Sequence, residues 1–192
     1  MTQALPAAPQ PPPRRQVLVG TALGCAAGTM LVGGMLAVWI LMRERVVATG
    51  EPWVPEDASI PEVPSNIMFI SFFALLLFAQ WAVHAMKRRQ RVNTGLALGT
   101  TAVVAIAIIN AQGYVYSQME LPLAGSGYGP MFYSITGVFL VLMVIGLGYT
   151  GVTAFRVLGG REDDELVISH ALYWYFVAAA FAAIWLFVYV TK

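Results

Sequence analysis

Polar and apolar positions alternate along this chain on a long scale. Five apolar stretches run at about Val17–Met42, Ile67–Met86, Thr94–Tyr114, Pro130–Phe155 and Leu166–Val190, and short polar segments separate them. None of the five contains Asp, Glu, Lys or Arg. A helix needs roughly 20 apolar residues to cross a hydrocarbon core about 30 Å thick. Helices satisfy their own backbone hydrogen bonds, which lipid cannot do for them. The pattern therefore predicts an all-α polytopic membrane protein, a single five-helix bundle over residues 16–192. Residues 1–15, rich in Pro and Ala without apolar periodicity, are expected to form a disordered tail.

The polar segments predict an orientation. With the N-terminus inside, the inner segments hold Arg14, Arg15, Lys87, Arg88, Arg89, Arg91, Arg156 and Arg161, and the outer ones hold Arg43, Arg45 and Lys192. Basic residues mark the cytoplasmic side, so the N-terminus is expected inside and the C-terminus outside. A bacterial-type cell membrane is the expected location. The first outer connection, Arg43 to Ser65, carries Glu44, Glu51, Glu56, Asp57 and Glu62 among Pro52, Pro55, Pro61 and Pro64. Such a segment is expected to be extended rather than helical. The second outer connection, Val115 to Gly129, has Pro122, Gly125 and Gly127 and no basic residue. On the inner side, Asp163, Asp164 and Glu165 are expected to face the positive end of the last helix.

Composition narrows the chemistry. The chain is 58% hydrophobic and 11% charged with a mean hydropathy of +0.70, which excludes a soluble globular domain. Proton or electron transfer at membrane depth needs ionisable groups or ligands there. Only His84 and His170 qualify, each near a helix end without a Cys or carboxylate at ligand spacing. His170 is expected to meet at most Glu165 or Asp164, and His84 to do no proton chemistry. A net charge of +1 and the absence of a basic–aromatic surface segment give no sign of nucleic acid. Arg14-Arg15 and Ala22-Leu23-Gly24-Cys25 resemble export signals. The apolar run far exceeds a signal region of about 7–15 residues, so the first helix is expected to stay uncleaved. Gly20, Gly24 and Gly28 share one helix face, as do Gly95 and Gly99, and both faces are expected to pack against other helices.

A family comes into view through the order of several motifs. Gly34-Met35-Leu36-Ala37-Val38-Trp39-Ile40-Leu41-Met42-Arg43 precedes a Trp- and Pro-containing loop that ends at Pro64-Ser65-Asn66. The third helix closes on Gln112-Gly113-Tyr114-Val115-Tyr116. Gly127-Tyr128-Gly129-Pro130-Met131-Phe132-Tyr133-Ser134-Ile135-Thr136-Gly137 follows, with Gly146 beyond it, and the last helix carries Tyr173-Trp174-Tyr175-Phe176-Val177. In that order, over residues 17–190, they resemble the five-helix form of cytochrome c oxidase subunit III. The chain departs from the family at its ionisable positions. These align with Gly28, Val115, Phe139, Leu142, Tyr175 and Ala178, all uncharged in this sequence.

The resemblance implies a non-redox accessory subunit of a respiratory haem–copper terminal oxidase. It would pack beside a catalytic subunit I that carries the haem and copper, stabilise it and hold lipid in a cleft. No cofactor is then expected on this chain beyond a structural phospholipid. The alternatives are a subunit of a nitric oxide reductase-type complex, an assembly factor for such a complex, or a small transporter; no internal repeat favours the last. Among the motif residues, Asn66 and Gln112 are expected to hydrogen-bond neighbouring helices, and Tyr116 and Tyr128 to pair across the outer surface. Thr136 is expected to bond its own helix and free Gly137 for close contact, beside Gly129 in the same motif. Tyr173 and Trp174 are expected either to line an inner-leaflet groove for a lipid or to anchor the helix at the headgroups.

Overall fold

The computed structural model describes residues 15–55, 61–119, 127–161 and 163–191. The expected tail at residues 1–15 lies almost wholly outside them. Five helices, each long and apolar enough to cross a membrane, account for nearly all described residues: α1 (Gln16–Ala48), α2 (Glu62–Lys87), α3 (Arg91–Met119), α4 (Tyr128–Leu158) and α5 (Asp164–Ile184), which continues as a π-helical turn at Trp185–Val190.

The helices outrun the apolar stretches that predict them. Arg43–Ala48, expected in an extended loop, forms the last turns of α1, and Glu62–Ser65 forms the first turn of α2. No proline interrupts residues 43–48, and a helix end is free to reach past the apolar layer into the headgroups. Pro64 is harmless where it stands, because the first-turn N–H groups have no helical partner. Val115–Met119 likewise extends α3, and Tyr128–Gly129 opens α4.

Two turns at one end of the bundle share a design. At the end of α2, Arg89 adopts φ 58° while Gln90 N donates to Ala85 O at 3.0 Å and Arg89 N to Met86 O at 2.8 Å. At the end of α4, Gly160 adopts φ 89° while Arg161 N donates to Arg156 O at 3.0 Å and Gly160 N to Val157 O at 3.1 Å. Both are left-handed helix caps that satisfy the last carbonyls. Arginine occupies one of them, a residue that adopts this conformation far less readily than glycine. This end gathers Arg15, Lys87, Arg88, Arg89, Arg91, Arg156 and Arg161, and is called the basic end below.

α5 occupies the middle of the bundle and touches α1, α2 and α4, while α3 packs on α2 and α4. Phe72, Phe139 and Phe181 stack where α2, α4 and α5 meet, with centroids 4.8–6.1 Å apart. The glycines divide sharply. A Cβ at Gly146 would lie 2.9 Å from the Trp174 and Tyr173 rings, one at Gly95 would lie 2.9 Å from Leu158, and one at Gly28 would lie 2.5 Å from Phe176. Gly20, Gly24 and Gly99 would meet nothing within 4 Å, so the chain's own packing does not use them. Regular glycine spacing marks a face, but the neighbour decides whether that face is used.

Candidate functional site

An apolar cleft runs along α5. On one side, Cys25, Thr29, Val32 and Leu36 of α1 face Phe176 and Ala180 of α5 across a groove of about 460 Å³. On the other, Phe69, Phe73 and Leu76 of α2 face Ala178 and Ala182 across a groove of about 310 Å³. Tyr175 and Ala179 line both, so α5 forms a floor shared by two grooves. Alanine makes this possible, because a methyl side chain leaves the backbone as the wall. Tyr175 donates from its hydroxyl to Gln80 Oε1 of α2 at 3.2 Å, which ties down the large side chain that the two grooves share.

Polar contacts hold α1 over this cleft near both its ends. At the basic end, Glu165 Oε1 of α5 accepts from Leu18 N of α1 at 2.9 Å. A carboxylate from the last helix thus satisfies a first-turn N–H of the first, the role an N-cap residue usually plays within its own helix. Asp163 does the same locally for α5, accepting from Leu166 N at 3.1 Å. Thr21 Oγ1 and the Tyr149 hydroxyl lie 3.2 Å apart. At the opposite end, Trp39 Nε1 donates to Phe187 O at 3.2 Å. That carbonyl lies in the π-helical turn, where Thr191 N passes it by and donates to Leu186 O at 2.9 Å. The wider turn therefore leaves a backbone acceptor for α1.

Beneath the cleft lies a buried polar knot that sequence reading does not find. Thr150 Oγ1 sits 2.9 Å from His170 Nε2, and Trp174 Nε1 donates toward both, at 3.1 Å to Thr150 Oγ1 and 3.0 Å to His170 Nε2. All three side chains are buried. His170 therefore faces α4 and not Glu165 or Asp164. The i, i+4 spacing of His170 and Trp174 places both on one helix face, which is the signal the sequence offers. Trp174 and Tyr173 belong to this core and do not line the groove; Tyr173 donates to Leu142 O at 2.8 Å. Leu172, Tyr175 and Phe176, on the adjoining face of α5, line the cleft.

The other motif residues collect at the opposite end. Asn66 Oδ1 accepts from Trp185 Nε1 at 3.0 Å, and Gln112 Oε1 accepts from the Tyr189 hydroxyl at 3.2 Å. Tyr116 donates to Thr136 Oγ1 at 2.8 Å, and Thr136 donates to Phe132 O at 2.7 Å. Tyr116 and Tyr128 do not pair. Tyr128 instead packs between Trp39 and Trp53, with centroids 5.2 and 5.5 Å away. Gly129 is buried in the first turn of α4, and Gly137 has open space beside it. Val115 and Phe139, two positions where the resembled family is ionisable, are fully buried. Among the described residues, no three His, Cys, Asp or Glu side chains come together as a metal site.

A family model described as cytochrome c oxidase subunit III matches residues 48–192, about three quarters of the chain. Cytochrome c oxidase subunit 3 of Chondrus crispus is 28% identical over 162 residues, covering 80% of this chain and 58% of that protein. The probable cytochrome c oxidase subunit 3 of Rickettsia bellii is 28% identical over 167 residues, covering 83% and 57%. Cytochrome c oxidase subunit 3 of Drosophila yakuba is 30% identical over 151 residues, covering 76% and 56%. The chain spans less than two thirds of the length of these relatives.

Proposed function

The chain belongs to the cytochrome c oxidase subunit III family, and on that footing we propose that it is a non-redox subunit of a haem–copper oxidase, packed beside the catalytic subunit and holding lipid in its cleft. It is a multi-pass membrane protein. The observation that carries the lipid reading is the alanine floor of α5 with a groove on either side. The grooves run through a chain whose five apolar spans contain no Asp, Glu, Lys or Arg. An acyl chain suits such walls, because they are almost wholly apolar and the hydroxyls of Thr29 and Tyr175 on them already bond protein partners. The basic end is proposed to face the cytoplasm. Arg15 and Arg161 would then stand at headgroup level, where they line a cavity of about 590 Å³ with Leu18, Ile168 and the carboxylates of Asp163, Asp164 and Glu165.

Purification of the complex through a tag on this chain, in mild detergent, tests the assembly. Stable recovery with haem- and copper-bearing subunits is expected; recovery only during biogenesis would replace the subunit reading with an assembly factor. Stoichiometric haem absorbance in the separated chain would overturn the non-redox role. The cleft is tested by Ala179→Leu, which narrows both grooves at once. Native mass spectrometry is expected to show loss of retained phospholipid with the complex intact. Unchanged lipid content would move the lipid elsewhere.

A further inference from the structure

Opposite the basic end, the ring of Phe132 packs among four tyrosines, Tyr116, Tyr128, Tyr133 and Tyr189. Phe132 lies 6.3 Å from Tyr116, 6.2 Å from Tyr128 and 5.8 Å from Tyr189, measured between centroids. Gln112 joins this group through its bond from the Tyr189 hydroxyl. Gln112 is 0% exposed, Tyr128 1% and Tyr189 3%, so water reaches them only by entering the protein. Yet among the described residues Gln112 Nε2 and the Tyr128 hydroxyl have no partner that meets hydrogen-bond geometry, and neither does Trp53 Nε1, whose ring packs 5.5 Å from Tyr128.

Flipping the amide does not remove the deficit. With Gln112 Nε2 turned toward Tyr189, the amide N–H would be satisfied, but Gln112 Oε1 and the Tyr189 proton would lose each other. One buried end of that amide is orphaned in either orientation. Buried polar groups are almost always bonded, to protein or to ordered water. A water needs two to four polar partners and a way in. Here the partners are Gln112 Nε2, the Tyr128 hydroxyl and the free lone pairs of Tyr189 and Tyr116. Beside Tyr189 is a pocket of about 270 Å³, also lined by Glu62, Ser65 and Asn66. Tyr189 forms both the wall of this vestibule and the hydrogen bond to Gln112.

We propose that this cluster is a structural water site: ordered water, admitted past Tyr189, bridges Gln112 Nε2 to the tyrosine hydroxyls and ties α3, α4 and α5 together. The ligand is water because the orphaned groups include donors and a hydroxyl that can take either role. An apolar ligand would answer neither. This hydrated island contrasts with the stacked Phe72, Phe139 and Phe181, which offer water nothing.

Radiolytic footprinting of the full chain within its complex, in lipid nanodiscs, reads the difference. Hydroxyl radicals formed from bound water modify the side chains next to it. Tyr128 and Tyr189 are expected to be modified at least severalfold faster than Phe139 and Phe181, which are equally buried. Rates equal to those of the phenylalanines would overturn the proposal. In Gln112→Leu the fast modification of Tyr189 is expected to fall to the phenylalanine level; unchanged modification would overturn the role of Gln112. A density map of the unaltered complex gives a second reading that needs no variant. It is expected to show water within about 3.2 Å of Gln112 Nε2. A backbone carbonyl or a partner side chain in that place would overturn the water site.

Discussion

α1 and α5 lie side by side along the cleft, yet they are built on opposite terms. α1 is 33 residues long and buries Cys25, Val32, Leu36 and Trp39; α5 is 21 residues long and buries twelve. In the most apolar 18-residue window, 17% of α1 is buried against 39% of α5. The two helices are equally apolar. Equal apolarity thus says that both helices belong in lipid, and nothing about which one the bundle is built around. Side-chain size distinguishes them better. α5 sets Tyr173, Trp174 and Phe181 against its neighbours, whereas α1 carries Gly20, Gly24, Gly33 and Gly34 on positions with nothing within 4 Å. The family match begins at residue 48, where α1 ends.

The contrast can be broken at its stronger side first. Gly146→Leu would drive a side chain into the Trp174 and Tyr173 rings and, through them, into His170 and Thr150. Overpacking a filled core costs about 3 kcal/mol at its upper range. Thermal unfolding in detergent, followed by tryptophan fluorescence, is expected to show a large fall in Tm; an unchanged Tm would mean that the α4–α5 contact is loose. Gly28→Leu meets only the tip of Phe176, which borders an open groove and can swing away. About 1 kcal/mol is expected there, with groove occupancy changing more than stability.

Glu165→Ala sharpens the same comparison at the basic end. Losing the acceptor for Leu18 N is expected to cost about 1 kcal/mol. Amide exchange should accelerate in the first turn of α1 and stay unchanged in α3. Trp39→Phe removes the donor to Phe187 O but keeps most of the packing against Trp53 and Tyr128. The expected loss is smaller still, because Thr191 Oγ1 also donates to that carbonyl, at 3.1 Å. Gly24→Leu should leave stability of the isolated chain unchanged. A loss of copurifying subunits in that variant would show that the free face of α1 meets a partner.

Helix number and approximate span are legible in the sequence because the bilayer imposes a length on every apolar run. Boundaries are less so: residues 43–48 look like loop by charge, yet a helix can continue past the hydrocarbon at no cost. Asn66 and Gln112 bond a neighbouring helix and Thr136 bonds its own, as their positions suggest, but two other partners differ. Tyr116 chose Thr136 over Tyr128, and His170 chose Thr150 over Glu165, since partner choice depends on the rotation of each helix and no periodicity encodes that. Glu165 reads locally as a charge suited to its own helix N-terminus, and nothing nearby in the sequence points to Leu18. The π-helical turn is equally silent, being one residue of extra winding in an uninterrupted apolar run.

The bonds from Leu18 to Glu165 and from Trp39 to Phe187 join residues 147 and 148 positions apart. During synthesis α1 enters the membrane before α2, α3 and α4, but its principal neighbour, α5, follows them all. Until α5 is inserted, α1 has an uncapped first turn, no floor beneath it and a mostly bare surface, while α2, α3 and α4 can already pack on one another. Mooring of α1 therefore waits for α5. A chain cut short before Asp164 leaves α1 unmoored, which gives a membrane quality-control system a physical mark of an unfinished product.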